Sequence, residues 1–251
     1  MILFLFVAAF LGGALNAVAG GGSFIALPAL LQAGVPPVAA NATSTLSLWP
    51  GSISSAWAYR REIAVAGSRA LLPMLVVSLV GGLLGAELLL GTTDAVFMNV
   101  LPWLMLVAAT TFTFGDRITG RLAGRARWTP SARHPWWALL LQLIIATYGG
   151  YFGGGIGVMM LAAMAVAGMT DIHEMNGLKT ALAGVINGVA ALEFVRRGAV
   201  AWEPGAVMIA GAITGGYVGA AVARRLDRRH VRTFAIVVAW AMTAYFFVTT
   251  S

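Results

Sequence analysis

The chain has 251 residues, 59% of them hydrophobic and only 10% charged, with a mean hydropathy of +0.86. Soluble globular domains carry roughly a quarter charged residues, so this composition excludes water as the main solvent. The absence of cysteine rules out disulfides, thiolate metal sites and cysteine nucleophiles; the net charge of +7 lies in short loops between apolar spans and reads as a topology signal, with no nucleic-acid partner.

Residues 1–18 are apolar but lack a basic leading region, and they run into Gly20-Gly21-Gly22-Ser23 rather than a small-x-small cleavage site. They are expected to belong to the mature protein rather than to a signal peptide. Three ordinary spans follow, at about 39–59, 70–90 and 96–114, each close to the roughly 20 residues that cross a hydrocarbon layer. A polar, Arg-rich stretch occupies 116–134, and then the order recurs. A second apolar segment is broken at Gly153-Gly154-Gly155-Ile156, and spans follow at about 174–195, 205–223 and 233–248. No run alternates as a membrane barrel would. The fold class is therefore an all-α polytopic membrane protein.

Three pairs of segments recur at nearly one interval. Residues 19–25 match 152–158, Asn41-Ala42-Thr43-Ser44-Thr45 matches Asn176-Gly177-Leu178-Lys179-Thr180, and residues 81–85 match 215–219. The chain divides into repeat 1 (1–115), a cytoplasmic linker (116–134) and repeat 2 (135–251). Charge arbitrates how the Gly-broken segments run. If each is a re-entrant hairpin, every repeat has three crossings, the second repeat is inverted, and 13 of the 16 basic residues fall on one side. The positive-inside rule makes that side cytoplasmic and both termini external, in a bacterial-type inner membrane. Inverted repeats with broken helices are a recurring transporter architecture.

Bare backbone at membrane depth is tolerated only when buried in protein or lining a wet cavity. Gly20, Gly21 and Gly22, and Gly153, Gly154 and Gly155, are thus expected at two hairpin tips. Helices restarting at Ser23 and Ile156 would aim free N–H groups and positive dipole ends at a small anion. The bland alternative is that these glycines only permit tight turns and close packing. The second span of each repeat bears a polar face: Asn41, Ser44, Thr45, Ser52 and Ser55 in the first, and Asn176, Lys179, Thr180 and Asn187 in the second. Lys179 is the only lysine. An intramembrane charge requires compensation, so it reads as a counter-charge for the substrate, as half of an ion pair with Asp171 or Glu174, or as snorkelling from a span that starts later. Asn16 and Asn187 are ligand donors or inter-helix hydrogen-bonding groups.

Glu193, beside Arg196 and Arg197, reads as an interfacial ion pair, with Glu87 similarly near a helix end. Asp171-x-His173-Glu174 reads as helix capping rather than a metal site. His134 and His230 stand in Arg-rich loops. Trp49, Trp57, Trp103, Trp136, Trp137, Trp202 and Trp240 are expected mostly at span ends, and Pro28, Pro50, Pro73 and Pro102 at helix starts or kinks. No cofactor or metal is indicated, the partners are a small anion and the lipid bilayer, and a homo-oligomer is left open.

Residues 16–23 (Asn-Ala-Val-Ala-Gly-Gly-Gly-Ser) with Pro28, Gly34 and Asn41-Ala42-Thr43, together with Gly153-Gly154-Gly155-Ile156-Gly157, Asn176 and Lys179-Thr180, resemble the TauE/SafE family of sulfite and organosulfonate exporters. Pro28 has no proline counterpart at Leu161, so the repeats are not interchangeable. The resemblance covers nearly the whole chain and implies secondary transport: export of a small sulfur-containing anion such as sulfite or sulfoacetate. The alternative is an anion channel using the same tips as its filter. No paired aspartates, Ser–His pair or zinc motif within the spans supports an intramembrane enzyme, and no nucleotide-binding motif supports a primary pump.

Overall fold

The computed structural model describes residues 1–58, 60, 68–122, 136–169, 171–223 and 228–250. All regular structure among them is helical: α1 (Ile2–Ala19), α2 (Ser23–Gln32), α3 (Pro37–Ala58), α4 (Ser68–Leu90), α5 (Asp94–Leu122), α6 (Trp136–Tyr151), α7 (Ile156–Val166), α8 (Ile172–Arg196), α9 (Trp202–Ala223) and α10 (Arg228–Thr250). Three segments, Leu71–Leu90, Asp94–Gly115 and Ile172–Arg196, are long and apolar enough to cross a membrane; Ile2–Ala17, Ser23–Gln32, Ile156–Val166 and Thr233–Thr249 are shorter apolar helices. A helix occupies each of the six segments read from the sequence as ordinary spans, with starts two to five residues earlier, because hydropathy discounts the polar first turns at Asp94, His173 and Glu203. The helix α5 continues to Leu122, seven residues into the stretch read as linker. Most of the Arg-rich linker, and the side chains of the cluster at 224–232, lie outside the described residues.

The Gly-rich breaks reverse the chain. At Gly20 the backbone is left-handed (φ 77°), and its N–H donates to Asn16 O at 3.0 Å, closing α1. The short α2 then doubles back: a Cβ placed on Gly12 of α1 would lie 3.7 Å from Ala26 Cβ of α2. In the second break Gly153 and Gly155 are both left-handed. There α7 returns along α6, with Gln142 Nε2 3.6 Å from Met160 Sδ.

Glycine also decides which helices touch. The face of α1 lies against α9, where a Cβ on Gly215 would overlap the Phe10 carbonyl and one on Gly219 would meet Ala14. The face of α6 lies equally close against α4, where Gly85 meets the Thr147 carbonyl and Gly150 meets that of Gly82. Small residues let backbones approach, and this is the packing that associates helices without a hydrophobic driving force between them. Each Gly-broken segment is therefore joined to a helix of the other half of the sequence. A pair from distant segments, α3 and α8, also packs together. There Trp49 donates from Nε1 to Gly184 O at 3.1 Å and packs over Gly188. Trp49 and Gly184 are separated by the interval that relates Asn41 to Asn176.

That contact corrects one expectation. Trp49 is not at a span end but half-way along α3, because Gly188 leaves room for an indole between the two backbones. Trp103, Trp136, Trp202 and Trp240 are exposed, while Trp57 lies outside the residues whose side chains are described. Pro28, Pro50, Pro73 and Pro102 all lie inside helices, the second of the two placements expected for them.

Polar side chains hold the ends. Asp94 Oδ1 accepts from Val38 N at 2.9 Å, so α5 caps the start of α3. At the C-terminal end of α4, Glu87 pairs with Arg197 (2.8 Å), which also binds Glu193 (3.0 Å); Arg196 donates to Glu193 from both Nε and Nη2. This is the interfacial cluster the sequence suggests, now seen to join α4 to the α8–α9 loop. In the interior Gln142 donates to Ser78 Oγ at 2.7 Å, both fully buried between α6 and α4.

Candidate functional site

Two helices begin inside the protein with no side-chain cap. The starts of α2, at Gly22 and Ser23, and of α7, at Gly155 and Ile156, are buried, and neither N-cap residue offers an acceptor. A helix start leaves several N–H groups without an intrahelical partner and carries about half a positive charge. Glycine is what permits this here, since at φ 82° Gly155 has a conformation that side-chain-bearing residues rarely adopt.

Both breaks converge on one aromatic ring. A Cβ on Gly21 would lie 3.4 Å from Phe112 Cζ, and one on Gly155 would lie 3.6 Å from Phe112 Cε2. Phe24, one residue into α2, meets the same ring edge-on at 5.9 Å. Phe112 was not singled out from the sequence, because an aromatic in an apolar span reads as packing or lipid contact. The polar residues beside the breaks are Asn16, whose Cβ crowds Gly22, and Thr45 and Asn187, which face Gly153. A Cβ on Gly153 would stand 3.6 Å from Asn187 Oδ1 and 3.9 Å from Thr45 Oγ1. Asn41 donates from Nδ2 to Tyr151 O at 2.8 Å, holding the end of α6 against α3. Asn41, Thr43, Ser44, Thr45, Ser47 and Ser52 are all buried, and Asn41 Oδ1 and Ser44 Oγ have no hydrogen-bond partner among the described residues.

Lys179 lies across Gly157, the second residue of α7: a Cβ there would be 3.3 Å from Lys179 Cδ. Its ammonium donates to Asn176 Oδ1 at 3.2 Å. None of the ion pairs among the described residues includes it. The alternative of a pair with Asp171 or Glu174 is therefore corrected. The Asp171 carboxylate is occupied at the start of α8, accepting from His173 N (2.8 Å) and Glu174 N (3.1 Å), which is the capping role read from the sequence. Asn176 also donates to Ile172 O, and Thr180 donates to Asn176 O. Of the sequence-predicted residues, Gly153, Gly154, Gly155, Ile156, Asn41 and Thr45 are brought together at the second break, with Lys179 against the start of α7 and Asn176 and Thr180 bonded beside it on α8. Gly20, Gly21, Gly22 and Ser23 lie at the first break, beyond Phe112.

Those backbone N–H bonds, Glu174 first and His173 second, hold the Asp171 carboxyl below its ordinary range. A depressed folded-state value means a contribution present above the ordinary carboxylate range and lost as pH falls through the folded value. Asp171→Asn, which caps without titrating, is expected to shallow the acid limb of a Tm-against-pH profile. Superimposable profiles would remove Asp171 from that role.

A family model described as "Sulfite exporter TauE/SafE" matches residues 5–246. A relative from Haemophilus influenzae, "Probable membrane transporter protein", is 30% identical over 245 residues, covering 97% of this chain and 93% of its own. One from Sinorhizobium, "Probable membrane transporter protein ORF9", is 32% identical over 243 residues, 96% of this chain and 90% of that one. "Probable membrane transporter protein YfcA" of Escherichia coli K12 is 27% identical over 241 residues, 96% and 87% respectively. With apolar helices suited to crossing a bilayer and a family match along almost its whole length, the chain belongs to the TauE/SafE family and is a multi-pass membrane transporter.

Proposed function

We propose that this transporter exports a small sulfur-containing oxyanion, such as sulfite or an organosulfonate, by alternating access. The observation that carries the reading is the pair of buried, uncapped helix starts at Gly22 and Gly155, whose breaks both reach the Phe112 ring, with the Lys179 side chain, in no ion pair among the described residues, against the second. Backbone N–H groups at a helix start bind anions, and at low dielectric a lone ammonium gains most from a mobile negative partner. In this reading the N–H groups of Gly154, Gly155, Ile156 and Gly157 and the ammonium of Lys179 hold the anion. Asn176 and Thr180 line the side facing α8.

The Gly-broken segments are taken as re-entrant hairpins in inverted repeats. The support is local: α2 and α7 fold back on α1 and α6, and the Glu87–Arg197 pair sets the end of α4 beside the end of α8, which a re-entrant reading puts on one side of the membrane. Since α1 is bound to α9 and α6 to α4, the units that rock each combine helices from both repeats. A negative cell interior favours anion exit. The cytoplasmic side is assigned from the arginines.

A flux screen in proteoliposomes over sulfite, sulfate, thiosulfate, sulfoacetate and simple carboxylates tests the reading. Saturating flux with counter-transport of one sulfur oxyanion is the expected result; single-channel currents would replace the carrier with a channel. Because the chain has no native cysteine, single cysteines placed in 116–134 and in 224–227 are expected to label from the same face.

A further inference from the structure

The first arm of the second break carries the opposite polarity to the second. At Tyr151 α6 ends with its carbonyls and about half a negative charge aimed at Gly153, just where α7 aims its N–H groups. The polar atoms around this end are oxygens. Asn41 spends an amide N–H on Tyr151 O, which fixes its orientation and leaves its 1% exposed carboxamide oxygen as a pure acceptor with no partner. Thr45 stands one turn further on the same face of α3 and meets Asn187 of α8 across Gly153. Ser44, also 1% exposed, is unpartnered as well. An anion gains nothing from a carbonyl acceptor, whereas burying such an oxygen unpaired costs about 1–3 kcal/mol.

We infer that this cluster is a binding site for a dehydrated monovalent alkali cation of about the size of Na⁺, held by Asn41 Oδ1, Thr45 Oγ1, Asn187 Oδ1 and carbonyl oxygens at the end of α6. A hard cation takes oxygen ligands of this kind. The carboxylates of Glu87, Glu193, Asp94 and Asp171 are engaged elsewhere, in ion pairs and helix caps. With neutral ligands only, a single charge is matched by the helix end and a double charge is not. A cation here would sit beside the proposed anion at the opposite pole of one break, so each favours the other. That coupling rests on the anion reading; the cation site does not.

The test is the melting temperature of the purified, detergent-solubilised transporter at constant chloride. Choline is replaced stepwise by Li⁺, Na⁺ or K⁺, with and without sulfite. A saturable rise in one alkali cation over choline is expected, and Thr45→Val is expected to raise the concentration needed for half the effect at least tenfold. Should the valine variant not fold, Asn187→Ala carries the same comparison. Identical melting in all four cations, or a full Na⁺ response in both variants, overturns the site. Sulfite stabilisation with no cation effect would leave the anion reading standing alone. A cation effect retained in Lys179→Ala, with no sulfite response even in the native chain, would overturn the anion reading and keep this site.

Discussion

Replacing Lys179 with alanine is expected to reduce anion affinity by about 100-fold or more and to bring flux to background. Removing one partner of a buried charge pair costs about 3–5 kcal/mol, and every 1.4 kcal/mol is about tenfold in affinity. The sign of the stability change separates this role from a structural one. Lys179 has Asn176 as its hydrogen-bond partner and takes part in none of the ion pairs among the described residues. Without a bound anion, therefore, the alanine variant loses an uncompensated charge rather than a stabilising contact. It is expected to insert normally and to melt at or above the native temperature in choline chloride. Size-exclusion profiles, melting curves and sulfite flux on the same preparation check this. Native flux in Lys179→Ala removes the ammonium from the site, and a large drop in melting temperature would assign it to structure.

The second large effect is expected at Gly155. A Cβ there would stand 2.9 Å from Ala108 Cβ and 3.3 Å from Ala108 Cα, in a backbone conformation with φ 82°. The left-handed conformation costs an L-residue roughly 1–2 kcal/mol, and crowding a packed site costs about 1–3 kcal/mol more. Gly155→Ala is thus expected to lose about 2–5 kcal/mol of stability, and with it the placement of the α7 start on which anion binding depends. Two companions separate the contributions. Gly153→Ala shares the left-handed backbone, but its nearest neighbour is at 3.5 Å, so it is expected to lose only the conformational part, roughly 1–2 kcal/mol. Gly184→Ala meets nothing within 4 Å and lies inside α8. It is expected to be neutral or stabilising by up to about 1 kcal/mol. Equal melting temperatures for Gly155→Ala and Gly184→Ala would show that the second break tolerates a side chain, and the tip assignment would fall.

Much of the site was legible because its signals are local. Gly20–Gly22 and Gly153–Gly155 interrupt apolar runs that hydropathy marks plainly. Asn41 with Thr45, and Asn176 with Thr180, repeat at helical spacing, so the polar faces could be read from neighbours in the chain. Asp171 likewise caps a helix three residues away, and Glu193 pairs within one turn. The partner of Lys179 was not legible, although it proved to be only three residues distant, because Asp171 and Glu174 carry the opposite charge and only the actual helix geometry turns the ammonium toward Asn176. Trp49 was misplaced because aromatic residues in a membrane sequence suggest an interface by default. Only Gly188, far along the chain, makes room for it inside.

The amino-acid sequence by itself determined that this is a helical membrane chain, where its apolar runs break, and which residues share a helix face, since composition and period act over a few turns. The tertiary structure alone decided that α1 rests on α9 and α6 on α4, that Phe112 stands between the two breaks, and that Asn187 faces Thr45 across Gly153. Those contacts depend on how closely two backbones approach. A glycine is written the same way whether it turns the chain, as at Gly155, or admits a neighbouring helix, as at Gly215; only the packed molecule distinguishes the two.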